Sequence, residues 1–298
     1  MATLYQAHAK MTSGNNDVCV LIGNGAAGGS ARLSAALATS IDSTATVGTL
    51  LWTKNACHLI GTGAPTMVGQ RARIAPPSGT YTVTTFGAAA FITVSGAGCI
   101  FSNISVFNGF STGGAAQIAW TDTGQRNYYE NMNIYGMADT TSAADAGSRS
   151  LKIGSGGNGE HTFVNCVIGG DTVTRGAANA SLEFAGATPR NTFKGCVFPM
   201  SASAATPLFG IGTGAGCVDR YQLFDNCIFI NAMDSGATAL TGAFTLPASA
   251  GGSLVMKNCS LVGDGSANWG TDATTLAQMY VDGAAPTAGT SGLAVNPT

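Results

Sequence analysis

Phe163-Val164-Asn165-Cys166-Val167-Ile168 decides the reading of this chain, because its pattern returns five more times. It appears earlier as Phe101-Ser-Asn103-Ile104-Ser-Val106 and Tyr129-Glu-Asn131-Met132-Asn-Ile134. It appears later as Phe193-Lys-Gly195-Cys196-Val-Phe198, Phe224-Asp-Asn226-Cys227-Ile-Phe229 and Met256-Lys-Asn258-Cys259-Ser-Leu261. The copies begin at 101, 129, 163, 193, 224 and 256, so the spacings are 28, 34, 30, 31 and 32 residues. From the second copy onward a weaker strand starts 11 to 16 residues before each copy. These strands hold Ile118-Ala-Trp120, Leu151-Lys-Ile153, Leu182-Glu-Phe184, Leu208-Phe-Gly-Ile211 and Phe244-Thr-Leu246.

Short alternating strands joined by Gly-rich turns, at a period near 31, fit one coil of a β-solenoid. Helical repeats of that length need a 3.6-residue period and few glycines, and 42 glycines stand here. A propeller blade needs about 40 to 50 residues. The fold class expected is therefore all-β, a right-handed parallel β-helix. Successive coils lie about 4.8 Å apart, so like residues stack on like. Asn103, Asn131, Asn165, Asn226 and Asn258 are expected to form an amide ladder at a turn, interrupted by Gly195. Cys166, Cys196, Cys227 and Cys259 are expected to form an inward thiol ladder continued by Ile104 and Met132. Lys194, Asp225 and Lys257 should stack outward with alternating charge, as should Lys152 on Glu183. Like charges at that spacing would repel, so the alternation supports the register.

The expected organisation is an N-terminal segment and cap at 1–50, coils at 51–265, and a terminal cap or tail at 266–298. Open solenoid ends need capping. Leu33, Leu37 and Ile41 suggest a short amphipathic helix over 30–41, either a cap or an ordinary loop-packed helix. Val18 to Ile22 and Cys57 to Ile60 look like early strands. Lys54-Asn55-Ala-Cys57 resembles Lys257-Asn258-Cys259 with one insertion, which places the start of the coils near residue 50.

Charged residues are only 9% of the chain, and the formal net charge is −2. There is no basic stripe for nucleic acid and no run of about 18 apolar residues for a membrane. Met1 to Lys10 lacks the apolar core of a secretion signal. Eight cysteines without CxxC pairs, and only His8, His58 and His161 beside them, point to reduced structural thiols and no metal site. Reduced thiols fit folding in a cytoplasm. No cofactor is expected.

The repeated strand, together with His58-Leu-Ile-Gly-Thr-Gly63, resembles the pectate-lyase-like right-handed β-helices over about residues 50–265. The fold hosts many functions, so the resemblance speaks to architecture. The low charge and Gly/Ala/Ser/Thr-rich composition resemble β-helix proteins of tailed bacteriophage particles more than secreted wall-degrading enzymes. Such proteins serve as tailspikes, which bind or cut surface glycans, or as trimeric capsid decoration.

Enzymes of the family that is resembled gather carboxylates on an outward face. Asp139, Asp171, Asp234 and Asp264 follow the repeated strand on the corresponding loop of their coils and would be the catalysts of an enzyme. Their Gly-rich contexts equally suit ordinary turns. No Asp-Asp, Asp-x-Asp or Arg-x-x-x-Lys motif lies on a strand face, which departs from that family. Gly61-Thr-Gly63, 154–159 and 210–216 are not followed by Lys-Ser/Thr and read as turns. Glu160-His161 could be a carboxylate-base pair or a surface turn. Trp120 and Tyr129 sit at core positions, whereas Tyr128 and Tyr135 are candidates for glycan contact.

The expectation is a structural virion protein, made in the bacterial host's cytoplasm. It would decorate or cement a capsid as a homotrimer in contact with the major capsid protein. The alternative is a tailspike or receptor-binding protein acting on host glycan, and a surface adhesin is a third reading.

Overall fold

The computed structural model describes residues 3–23, 31–32, 49–63, 72–76, 90–109, 116–154, 158–231, 237–263, 268–282 and 292–293. The chain winds as a right-handed parallel β-solenoid with three sheets, called A, B and C here. Among the described residues sheet A has ten strands, from Val18–Leu21 to Gly292–Leu293, sheet B has nine and sheet C seven. Each coil runs through C, then A, then B, and every strand pairs in parallel with its equivalents one coil away.

The repeated pattern maps onto the A-to-B corner. Its aromatic lies on sheet A, in the register Phe101, Tyr129, Phe163, Phe193, Phe224, Met256. The side chains point inward and the rings stack. Tyr129 lies on Phe163 at 4.4 Å and 6°, Phe163 on Phe193 at 4.7 Å and 7°, and Phe193 on Phe224 at 4.7 Å and 9°. A second stack, Phe198 on Phe229 at 4.6 Å, runs on sheet B. Edge-to-face contacts such as Phe198 with Phe224 tie the two stacks together.

The asparagine position is a backbone requirement. Asn103, Asn131, Asn165, Asn226 and Asn258 all have φ between 50° and 57°, and Gly195 has φ 62°. One residue in the left-handed region turns the chain from sheet A to sheet B, and Asn and Gly are the residues that adopt it most readily. Gly195 thus interrupts the amides but not the turn. Asn131 Nδ2 donates to Asn103 Oδ1 at 3.2 Å, while Asn226 turns to Asp225 instead.

Three residues after the aromatic, each ladder thiol donates to the carbonyl of the aromatic one coil earlier. Cys166 meets Tyr129, Cys196 Phe163, Cys227 Phe193 and Cys259 Phe224, at 3.4 to 3.7 Å. All eight cysteines are free thiols. Burial pushes the Cys99 and Cys217 thiols up to about 11, and the Cys196 hydrogen bond with burial pushes Cys227 up to about 12. Such thiols are poor nucleophiles.

The ends differ from the sequence reading. Of the helix expected over 30–41, Ala31–Arg32 is a strand of sheet B paired with Ile74 and Ala75. The rest of that helix lies outside the described residues. The helix at this end is Leu4–Lys10, with Thr3 as N-cap. Lys54 Nζ caps its other end through the carbonyls of His8, Ala9 and Met11 at 2.7, 3.0 and 2.6 Å. The helix buries Leu4 and Tyr5 and sets His8 against Trp52, the first tryptophan of sheet C. Stacking also starts before residue 50, since Val18–Leu21 pairs with His58–Gly61. Leu59, not a residue of Lys54-Asn55-Ala-Cys57, takes the aromatic position facing Phe101. Ala56, with φ 46°, makes the turn into sheet A there, so Asn55 is not a rung of the asparagine ladder. At the far end, Met279–Asp282 continues sheet A inside the stretch read as a tail.

Candidate functional site

Among the described residues, the densest cluster of chemistry-bearing side chains is inside the coil. Ile118–Asp122 is a strand of sheet C whose alternation points Trp120 and Asp122 inward. Asp122 takes the place that Val94 and Ile153 fill in the coils on either side. A carboxylate there must be bonded or it would be very costly. Its oxygens accept from the Tyr129 hydroxyl, from Asn127 Nδ2 at 2.9 and 3.2 Å, and from the Gly124 N–H at 2.7 Å. Trp120 Nε1 donates in turn to the Tyr129 hydroxyl at 3.3 Å. His161 Nδ1 lies 3.5 Å from Asp122 Oδ2.

The protonation of His161 follows from its backbone bond. Nδ1 accepts the Asn127 N–H at 3.2 Å, so the ring proton of the neutral form sits on Nε2. Burial lowers the His161 pKa, and the nearby Asp122 carboxylate opposes that in part. Nε2 has no hydrogen-bond partner. Burial, then Asp122, raises the Tyr129 hydroxyl well above the usual phenol range. His, Asp and Tyr are the groups of general acid-base chemistry. Here Asp122, Tyr129 and His161 are all 0% exposed. They exchange hydrogen bonds with one another and with backbone, and the aromatic stack closes over them.

His161 also belongs to a ladder two residues before the aromatic. Asn127 Oδ1 accepts from the Cys99 N–H, His161 Nδ1 from Asn127, Asn191 Oδ1 from His161, and Gln222 Oε1 from Asn191. Each side chain occupies the backbone donor of the coil before it. The signal was present as Asn127, His161, Asn191 and Gln222 at one fixed offset, but the residue types differ.

Glu160 and His161 are not a pair. Glu160 has φ 61° and turns outward, between Arg126 at 2.7 Å and Arg190, which themselves have φ 54° and 51°. His161 turns inward. The charge ladders of the outer faces have the expected register. Lys152 pairs with Glu183 at 3.1 Å, and Arg149 joins Glu183 at 2.8 Å. Lys194, Asp225 and Lys257 lie in register, with Lys257 Nζ 3.6 Å from Asp225.

The four candidate aspartates do not form a described cluster. Asp139 is the N-cap of the short helix Thr140–Ala143 and accepts from Ser142 N at 2.8 Å. Asp171 is exposed on Gly170–Arg175, a strand paired with Val197–Ala202 off the main path of sheet B. Asp234 and Asp264 lie outside the described residues. Tyr128 is half-buried on the outer face of sheet A. Tyr135 is engaged: its hydroxyl bonds Thr172, and its ring meets Phe107 edge-on. That ring also lies where a side chain at Gly170 would go. Arg175 is fully buried, bonded to Asn179 Oδ1, Ser181 Oγ and the carbonyls of Asn179 and Leu208. Burial lowers its pKa to about 9. Among the described residues no group of His, Cys, Asp and Glu is placed to hold a metal ion, and no helix is long and apolar enough to cross a membrane.

No family model matches the sequence, and no curated protein does. The fold is similar to solved structures of pectin methylesterases. One, in complex with hexasaccharide VII, is 13% identical with a TM-score of 0.62, covering 99% of this chain and 89% of its own. Another, PemA from Erwinia chrysanthemi, is 14% identical with a TM-score of 0.60, covering 98% and 88%. At that identity the likeness establishes a pectin-methylesterase-like parallel β-helix and nothing finer.

Proposed function

We propose that this chain is a structural, non-enzymatic β-helix of a tailed-phage particle, of the capsid decoration type. The observation that carries the non-enzymatic part is what eight of the twelve described carboxylates do. Asp122 is sealed in the core, and Asp139 and Asp272 cap helices. Asp145 holds the N–H groups of Ala116 and Gly147, and Asp17 holds that of Thr12. Glu160, Glu183 and Asp225 are members of charge ladders. Acids spent on turns, caps and ladders are those of a scaffold. The particle assignment is supported by the composition, 9% charged with 42 glycines. A reconstruction of the particle tests it: density on the head surface is the expected result, and density on the tail alone overturns it.

Glycan depolymerisation in a tailspike is the second reading. It is favoured by the likeness to pectin methylesterases, one of them in complex with a hexasaccharide, and by the exposure of Asp171. Incubation with host polysaccharide decides between the two. Cleavage by the native chain that Asp171→Asn removes would establish the second reading and end the first.

A further inference from the structure

The outer face of sheet A carries an apolar column at its C-terminal end. Over the strands Asn191–Lys194, Arg220–Asp225, Gly252–Lys257 and Met279–Asp282, one outward column reads Thr192, Leu223, Val255, Tyr280. Tyr280 is 40% exposed, and Tyr221 beside the column is 42% exposed. The next outward column reads Lys194, Asp225, Lys257, and Asp282 continues it after Val281, the partner of Met256. An apolar centre with a charged margin is the anatomy of an interface.

The charged column has a symmetry that stacking alone does not require. Alternation satisfies neighbours within one chain. A column of three or five alternating charges, turned end over end, would set like on like. This one has four members, plus-minus-plus-minus, so its reversal is its own complement. Lys257 lies 3.6 Å from Asp225 within the chain, whereas Lys194 and Asp282 have no ion pair among the described residues. Reversal brings those two ends together. The same operation sets Leu223 against Val255 and Thr192 against Tyr280.

We infer that this face joins two copies of the chain, antiparallel, about a two-fold axis running along the strands. Lys194 of each copy meets Asp282 of the other, and the Leu223 and Val255 side chains meet at the centre. Four coils span about 19 Å and a six-residue strand about 20 Å, so the footprint is near 400 Å² per copy. That is about half the usual 800 Å² per partner, so the dimer is weak, concentration-dependent and weakened by salt. A two-fold pair of this kind differs from the trimer expected of a capsid decoration protein, and it does not depend on the particle assignment.

Sedimentation velocity over a concentration series tests the pairing, with a monomer-to-dimer shift as the expected result. A monomer throughout, or a trimer, overturns it. Leu223→Lys, checked by its melting curve, should remove the shift, and an unchanged shift in a folded variant overturns the proposal. Geometry is read from the double variant Thr192→Cys with Tyr280→Cys. Within one chain these positions are three coils, about 14 Å, apart, beyond the reach of a disulfide. Across the two-fold axis they face each other. With oxidised glutathione as oxidant, two thiols give one disulfide and two reduced glutathiones. A covalent dimer on a non-reducing gel is expected for the double variant and absent from either single variant. Equal cross-linking by a single variant, or none by a double variant that sediments as a dimer, overturns the antiparallel arrangement.

Discussion

Phe163 and Phe193, one coil apart, lie face to face with ring centroids 4.7 Å apart and planes within 7° of parallel. Both are 0% exposed. The solenoid has no separate core, because each coil is covered by the next. The aromatic column, from Phe101 to Phe224, supplies five of the largest fully buried side chains of that continuous core.

Phe193→Ala should therefore be severe. It removes a ring stacked on both neighbours and leaves a cavity between Phe163 and Phe224. Loss of a buried phenylalanine costs about 3–5 kcal/mol. Urea unfolding followed by far-UV circular dichroism is the check, and a loss under about 1 kcal/mol would mean that the coils repack freely.

Gly195 separates two kinds of constraint. Its φ of 62° is shared with the asparagines of the other coils, and its own Cβ would lie 2.6 Å from Asn165 Oδ1. That oxygen is at the end of a side chain and can move. Gly195→Asn should cost no more than about 1 kcal/mol, and Gly195→Val clearly more, since a β-branched residue is a steric outlier in that region. Melting temperatures of the two variants make the comparison. Equal losses would show that space, not backbone conformation, governs the turn.

His161 predicts a pH dependence. Burial holds its pKa below the unfolded value of 6.5, so the unfolded chain takes up the proton first. Its contribution to stability is complete above about 6.5 and declines as pH falls through the unfolded value toward the folded one. His161→Asn, matching Asn127 and Asn191 at the same ladder position, should flatten part of the fall in melting temperature between about pH 7 and pH 5. His58, also lowered by burial, accounts for a remainder. An unchanged slope in the variant would place the titration elsewhere.

The ladder thiols should be silent toward alkylation in the folded protein. Cys166, Cys196 and Cys227 are fully buried, and those of Cys196 and Cys227 are raised in pKa. Iodoacetamide labelling read by mass spectrometry should modify them only after denaturation. Rapid native labelling of Cys196 would contradict the closed stack.

The sequence by itself determined the stack. Residues one coil apart obey one backbone geometry, so the aromatic, the left-handed Asn or Gly and the inward thiol come back at the same offset and can be aligned without a structure. The charge ladders were legible for the same reason, since their alternation follows from a 4.8 Å spacing. Tertiary structure alone decided the ends and the interior polar network. Ala31 and Arg32 pair as a strand with Ile74 and Ala75, while Leu4–Lys10 became a helix because Lys54, distant in sequence, closes its end. Glu160 and His161 part company because a positive φ breaks strand alternation, and nothing in the order of residues announces that sign. Asp122 is inward by alternation, yet an acid is tolerated there only because Tyr129 of the following strand and Asn127 just before that strand supply its donors. Local pattern sets which face a residue shares, but a buried charge is stable only where the fold delivers partners.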